Sequence, residues 1–389
     1  MRIYITTQGA KIVKEGDILK VKKENNTYKT IFFHKVEQVL IFGNISLTAP
    51  ALHVLLKNNV DTVFLTRNGR YLGRLALPES KNVFLRKKQF LLLEDKDFAL
   101  RIAKQIVKAK MLSMATLLMR IKRTKKQIIC HNKAKEIKDL IQRLDHAATL
   151  DSLRGYEGRA SSIYFSALKY GFIQDFGFSR RVRRPPTDPV NAVLSLLYTM
   201  LFNRVYSAIR SANLDPYPAF LHVPDYGRHA LVMDLMEEFR VIIADTLTLS
   251  LFNLKILQDK DFEIQNVPKP QSLHTEKSPL STNQPDVTQD PLGLISDTNS
   301  NDLFDTPPQR MTEAGLDTAQ DNSGKRPVKL TSQAFKRVIE NFERKLTTKF
   351  FYEPLQQQIT YEDALYAQAR QYRKVIEGEA ALYEPLLLK

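Results

Sequence analysis

The chain has 389 residues, with 58 Lys and Arg against 42 Asp and Glu, a net charge of +16 and a pI near 9.6. That length exceeds one ordinary hydrophobic core, so two domains are expected, and no apolar run approaches the about 18 residues of a membrane span. The single cysteine, Cys130, excludes an intrachain disulfide and any cysteine-based zinc site, and fits a reducing cytoplasm.

The N-terminus, MRIYITTQGAKI, lacks the continuous apolar core of a signal peptide. Residues 1–80 read as β-rich. Arg2–Thr6, Ile18–Lys22, Thr27–Phe33 and Gln38–Phe42 alternate or carry β-branched and aromatic residues, with a hairpin turn at 23–26. Ser46–Asn58 reads as a helix with Pro50 in its first turn. Asp61–Leu65 and Arg70–Ala76 form a strand pair around Asn68-Gly69.

Leu77-Pro78-Glu79-Ser80 punctuates the chain, and from Val83 the pattern is helical. Between Phe98 and Lys126, apolar residues at Ile102, Ile106, Val107, Met111, Met114, Leu117 and Leu118 have helix spacing. The other positions are rich in Lys and Arg, Lys110 among them, a face that is either solvated or set against phosphates. Asp151–Lys169 is a further helix, in which Gly155 and Gly158 flank Glu157. Glycine costs a helix about 1 kcal/mol against alanine, so the pair serves either close helix packing or access of a ligand to Glu157. Arg180, Arg181, Arg183 and Arg184 lie within five residues, just before Pro185-Pro186. They suit a phosphate clamp or a set of structural ion pairs equally. Asp188 can cap, and Pro189 begin, a helix over Val190–Ser211.

His222 closes the apolar run Ala219-Phe220-Leu221. After a loop with Pro224, Asp225 and Gly227, a helix begins near Arg228. Its acids Asp234, Glu237 and Glu238 are three and four apart and share a face. Leu231, Val232, Leu235, Met236, Phe239, Ile242 and Ile243 wrap this helix, so burial is expected. Buried acids are costly unless paired. A divalent ion held with His222 would pair them, Mg²⁺ or Mn²⁺ by the hardness of the oxygen ligands. A solvated acidic face paired with Arg228 or Arg240 is the alternative on spacing alone.

From Ile264 to Gly324, nine acids face three bases, a local charge of −6, which leaves +22 on the rest. The surplus favours a polyanionic partner, nucleic acid ahead of a membrane surface. Residues 264–327 are rich in Pro, Ser, Thr, Asn, Gln and Asp, and are expected to be a disordered polar insertion. Helices resume at Ser332 and Thr360, each with a capping residue at its start.

Five segments carry a resemblance: R-G-Y-E-G-R-A at Arg154–Ala160, R-R-P-P-T-D-P-V-N-A at Arg183–Ala192, L-D-P-Y at Leu214–Tyr217, F-L-H at Phe220–His222 and D-L-M-E-E-F-R at Asp234–Arg240. Together and in this order they resemble the CRISPR-associated integrase family, the first-numbered Cas protein, which inserts new spacers into a CRISPR array. The resemblance covers everything except the polar insertion. It implies an α+β chain. A β-sandwich-like N-terminal domain (1–80) would precede a larger all-α catalytic domain (81–263 and 328–389), interrupted at 264–327. It places a Mg²⁺ or Mn²⁺ site on Glu157, His222 and Glu237, with Asp234 as a further functional acid. It further implies a homodimer that assembles with the small second-numbered Cas subunit and acts on double-stranded DNA, both prespacer and repeat. The reaction would be attack of a DNA 3′-hydroxyl on a repeat phosphodiester, with Arg180, Arg181, Arg183 and Arg184 holding the backbone. A non-catalytic DNA-binding scaffold is the rival reading of the same charge and layout.

Overall fold

The computed structural model describes residues 1–24, 26–77, 82–182, 185–264 and 326–388. Arg183 and Arg184 of the arginine cluster, and nearly all of the expected insertion, therefore lie outside the described residues.

The first eight strands are β1 (Arg2–Ile5), β2 (Lys11–Glu15), β3 (Ile18–Lys23), β4 (Asn26–Ile31), β5 (Gln38–Phe42), β6 (Ser46–Leu47), β7 (Asp61–Leu65) and β8 (Tyr71–Arg74). Helix α1 (Ala49–Lys57) precedes β7. They form two four-stranded sheets, β1-β5-β7-β8 and β4-β3-β2-β6. Side chains from both sheets meet in one core, including Ile3, Ile5, Ile12, Leu19, Val21, Val39 and Ile41. This is the sandwich-like layer expected from the sequence. Strand β5 is buried on both faces, pairing parallel with β1 and β7. Its Val39 and Ile41 enter the inter-sheet core, while Leu40 and Phe42 point to the helices. Doubly covered parallel strands read as continuous apolar runs, as QVLIF does. The β7–β8 turn needs Gly69, whose φ is +87° and where a Cβ would come 2.6 Å from Leu196 Cδ1.

The helical domain contains α2 (Val83–Leu91), α3 (Lys96–Lys125), α4 (Ile128–Gln142), α5 (Leu150–Leu168), α6 (Pro189–Ser211), α7 (Ala230–Phe239) and α8 (Thr246–Asn253). The chain continues through β9 (Phe262–Ile264), β10 (Val328–Leu330), α9 (Ser332–Thr347), β11 (Lys349–Tyr352), β12 (Gln357–Thr360) and α10 (Tyr361–Glu377). Start signals act as read: Asp188 Oδ1 accepts from Asn191 N at 2.8 Å, and Thr360 with Asp363 forms a capping box. By length and hydropathy α6 could cross a membrane, but it is a core helix here, packed against α7 and α10.

The domain is not purely helical. Strands β9 and β10 pair antiparallel, bringing the two flanks of the polar segment together, and β11 pairs with β12. Strand β2 and helix α4 also lie where no separate element was expected. The two domains are tied by polar groups. Arg204 of α6 donates to the Tyr4 hydroxyl at 2.7 Å and pairs with Glu343 of α9, and Ser207 donates to Asp61 Oδ2 at 2.8 Å.

Candidate functional site

Three elements meet beneath α7. Helix α3 brings Lys110, α5 brings Glu157 and Ser161 one turn apart, the loop before α7 brings His222, and α7 itself carries Asp234, Glu237 and Glu238. All ten residues of α7 are buried. Each of its three acids must therefore be neutralised or hydrogen-bonded, and each solves the problem differently.

Asp234, fully buried, faces the His222 loop. Its Oδ2 accepts the backbone N–H groups of Phe220 and Leu221, each at 2.9 Å, and its Oδ1 accepts that of His222 at 2.9 Å. Oδ1 also lies 2.7 Å from His222 Nδ1. A carboxylate only accepts, so Nδ1 carries a proton, and in the neutral imidazole Nε2 presents its lone pair on the other side of the ring. Asp234 thus stands behind the imidazole and sets its tautomer.

Glu237 is the meeting point. His222 Nε2 lies 3.7 Å from its Oε1, Arg240 Nη1 3.1 Å from the same oxygen, and Lys110 Nζ 2.6 Å from Oε2. Burial pushes its carboxyl up, but Arg240, Lys110 and His222 together outweigh burial and hold it well below the usual carboxylate range. Although Oε2 is in ion-pair contact with Lys110, it lacks a well-directed hydrogen bond. Lys110 also pairs with Glu157 Oε1, which in turn accepts from Ser161 Oγ at 2.9 Å. Glu157 and Glu237, 80 positions apart in the chain, thus share one ammonium group.

Glu238 points away from this cluster. Tyr383 Oη donates to its Oε1 at 2.6 Å, while Gln368 Nε2, at 2.7 Å, and the Leu386 N–H donate to its Oε2. Burial pushes the Glu238 carboxyl up to about 7 despite these bonds. It ties the segment after α10 to α7. The helix then widens into a single π-helical stretch, Arg240–Asp245, a distortion frequent at functional sites. The widening sets Arg240 beside Glu237 and holds Asp245 between the hydroxyls of Tyr164 and Tyr198, each at 2.7 Å. Burial raises the Asp245 carboxyl to about 6 against those two hydroxyls and against Arg240 and Arg181.

Beside the carboxylates lies a cavity of about 270 Å³ lined by Lys110, Gly158, Ser161, Arg180, Arg181, Tyr198, Arg240 and Asp245, among others. Arg180 is exposed at its rim. Arg181 is half-buried, donating to the Val182 carbonyl, Asn191 Oδ1 and Ser195 Oγ, which makes it a structural tie as well as a wall of the cavity. A Cβ on Gly155 would meet nothing within 4 Å, so helix packing does not demand glycine there, while Gly158 opens onto the cavity. Arg154 donates to the Leu221 carbonyl at 3.0 Å, tying α5 to the His222 loop.

Among the described residues no three His, Cys, Asp or Glu side chains converge on one point as metal ligands do. Between Glu157 and Glu237 that point is taken by the Lys110 ammonium. Two carboxylates already sharing one cation, a carboxylate oxygen short of a directed hydrogen bond and an imidazole whose Nε2 lies 3.7 Å from Glu237 Oε1 are hard-oxygen and imidazole donors. That set suits Mg²⁺ or Mn²⁺.

The family model described as CRISPR associated protein Cas1 matches residues 3–278. The chain belongs to the Cas1 family. It is 35% identical to the CRISPR-associated endonuclease Cas1 4 of Methanospirillum hungatei over 261 residues, 67% of this chain and 72% of that protein. Against the CRISPR-associated endonuclease Cas1 2 of Rhodospirillum rubrum identity is 34%, covering 67% of this chain and 78% of that one. The fold matches a CAS1 protein from Thermotoga maritima with a TM-score of 0.72 at 19% identity, covering 98% and 99% of the two chains. It also matches a casposase bound to integration product with a TM-score of 0.76 at 19% identity, covering 100% and 95%. In a Cas6-RT-Cas1–Cas2 complex the TM-score is 0.76 at 22% identity, and the chain spans 36% of the longer chain it matches there. The strand-rich N-terminal region and the mostly helical C-terminal domain are thus the Cas1 architecture.

Proposed function

We propose that the protein is a divalent-metal-dependent DNA endonuclease and integrase that inserts new spacers into a CRISPR array. The carrying observation is the pair Glu157 and Glu237, joined through one cation, with His222 held beside Glu237 by Asp234. The endonuclease names of the relatives and the integration product held by the casposase of like fold support the same reading.

Glu157, His222 and Glu237 would hold Mg²⁺ or Mn²⁺, which when bound supplies Lewis-acid activation of the phosphodiester and of the attacking hydroxyl. The chain's own residues do the rest. Asp234 keeps Nδ1 protonated and the imidazole aimed at Glu237. Arg240 and the exposed Arg180 flank the cavity and attract the DNA backbone without reading sequence. Attack of a DNA 3′-hydroxyl forms a new P–O bond and breaks the old one, releasing a strand with its own 3′-hydroxyl. With water as nucleophile the same site hydrolyses the strand.

The partners are double-stranded DNA, a second copy of the chain and a small Cas2 subunit, the last supported by the Cas1–Cas2 complexes of like fold. Cytoplasmic location fits the single buried thiol, Cys130. The test is insertion of a short duplex into a supercoiled repeat plasmid with Mn²⁺ and the Cas2 subunit. Wild type should give joined product, and Glu157→Ala or His222→Ala none. Wild-type-like joining by either variant would refute the ligand assignment, and no joining by wild type would leave the non-catalytic DNA-binding scaffold.

A further inference from the structure

Lys110 is unusual for its helix. The lysines and arginines of α3 mostly face outward, whereas Lys110 is 4% exposed and lies in the apolar stripe between Val107 and Met114. An ammonium in such a place is costly unless its charge is matched. Its match is the Glu157–Glu237 pair, two like charges that repel unless a cation stands between them. The ammonium therefore stands where the divalent ion of the proposed function would, and both cannot occupy that point.

We propose that Lys110 is the resident cation of the site, a positioning residue that keeps Glu157 and Glu237 together before metal loading and yields its place on loading. This rests on the metal-dependent reading above. Two features give it somewhere to go. The lysine stem is four flexible carbons carrying a compact charge with three donors. The cavity of about 270 Å³ opens directly beside it, walled by Arg180, Arg240 and Ser161. Moved into that cavity, the ammonium joins the arginines on the side from which a DNA phosphate arrives. The exchange couples loading to readiness: the charge that holds the empty site together becomes a phosphate contact once the metal is in. Before loading the site is charge-balanced, with Lys110 and Arg240 opposite two carboxylates.

The test is direct Mn²⁺ binding, read by loss of the free-ion paramagnetic resonance signal, on wild type, Lys110→Met and Glu157→Ala. With its competitor gone, Lys110→Met should bind Mn²⁺ about tenfold tighter or more, because a unit charge removed from beside a divalent ion is worth at least that factor. Equal or weaker binding by Lys110→Met overturns the proposal. If Glu157→Ala loses Mn²⁺ while Lys110→Met is unchanged, the ligand assignment stands and the Lys110 role falls. If wild type binds no Mn²⁺, both fall. A second measurement on the wild-type protein covers a Lys110→Met chain that fails to fold. Acetic anhydride labelling followed by mass spectrometry should leave Lys110 protected without metal and modified with Mn²⁺. Labelling that Mn²⁺ does not change overturns the proposal.

Discussion

Replacing Asp234 separates its two jobs, holding the loop and setting the imidazole. In Asp234→Ala, three backbone N–H groups, two of them buried, and the His222 ring lose their acceptor. At about 1–3 kcal/mol for each orphaned donor, and with some relaxation, the loss is roughly 3–6 kcal/mol. That is a large share of a total stability of about 5–15 kcal/mol. Asp234→Asn is the sharper probe. Its best orientation leaves the oxygen on the Phe220 and Leu221 N–H groups and turns the amide NH₂ toward His222. One backbone donor is then opposed, at a cost of about 1–3 kcal/mol. The amide also donates to Nδ1, which puts the ring proton on Nε2, where it blocks ligation. Urea denaturation should show the modest destabilisation, and Mn²⁺ affinity should fall about 10–100-fold, the usual effect of losing an outer-shell partner. Unfolding within about 0.5 kcal/mol of wild type, together with unchanged Mn²⁺ affinity, would refute this account of Asp234.

The Asp245 carboxyl, raised to about 6 from 3.8, keeps its proton in the fold where the unfolded chain has lost it. Its contribution to stability is full below about pH 4 and is lost as pH rises through 6, about 3 kcal/mol in all. Asp245→Asn should flatten that part of the pH–stability curve, and an unaltered curve would count against the buried-acid account. Glu238→Ala frees the Tyr383, Gln368 and Leu386 donors, so the segment after α10 should become protease-sensitive and stability should drop by several kcal/mol. An intact, protease-resistant C-terminal segment would contradict the tie. Gly155→Ala should stabilise by up to about 1 kcal/mol in thermal melting, since its Cβ meets nothing and alanine favours helix. Destabilisation there would mean that Gly155 has a role the geometry does not give it.

The β-branched runs, the helix caps and the apolar stripes made the two-domain layout legible, because each is set by near neighbours in sequence. The hairpin of β9 and β10 was not, since Phe262–Ile264 finds its partner across more than sixty residues of polar chain, and a three-residue strand has no pattern of its own. Strand β2 was missed because KIVKE is short and charged at both ends. At the site, the burial of the α7 acids followed from the wrap of apolar residues around them. The link between Glu157 and His222 came only from the family resemblance, since spacing along the chain fixes no geometry between them. Lys110 was grouped with the solvated lysines of its helix. A signal was there: it falls four residues after Ile106 and four before Met114, on the apolar stripe rather than beside it.

Crystals grown with Mn²⁺ and measured at the manganese edge show whether Glu157, His222 and Glu237 hold one divalent ion together. One strong anomalous peak is expected at about 2.0–2.3 Å from an oxygen of each glutamate and from His222 Nε2, with Lys110 swung aside. A site still bridged by Lys110, with no peak between the carboxylates at saturating Mn²⁺, would contradict it.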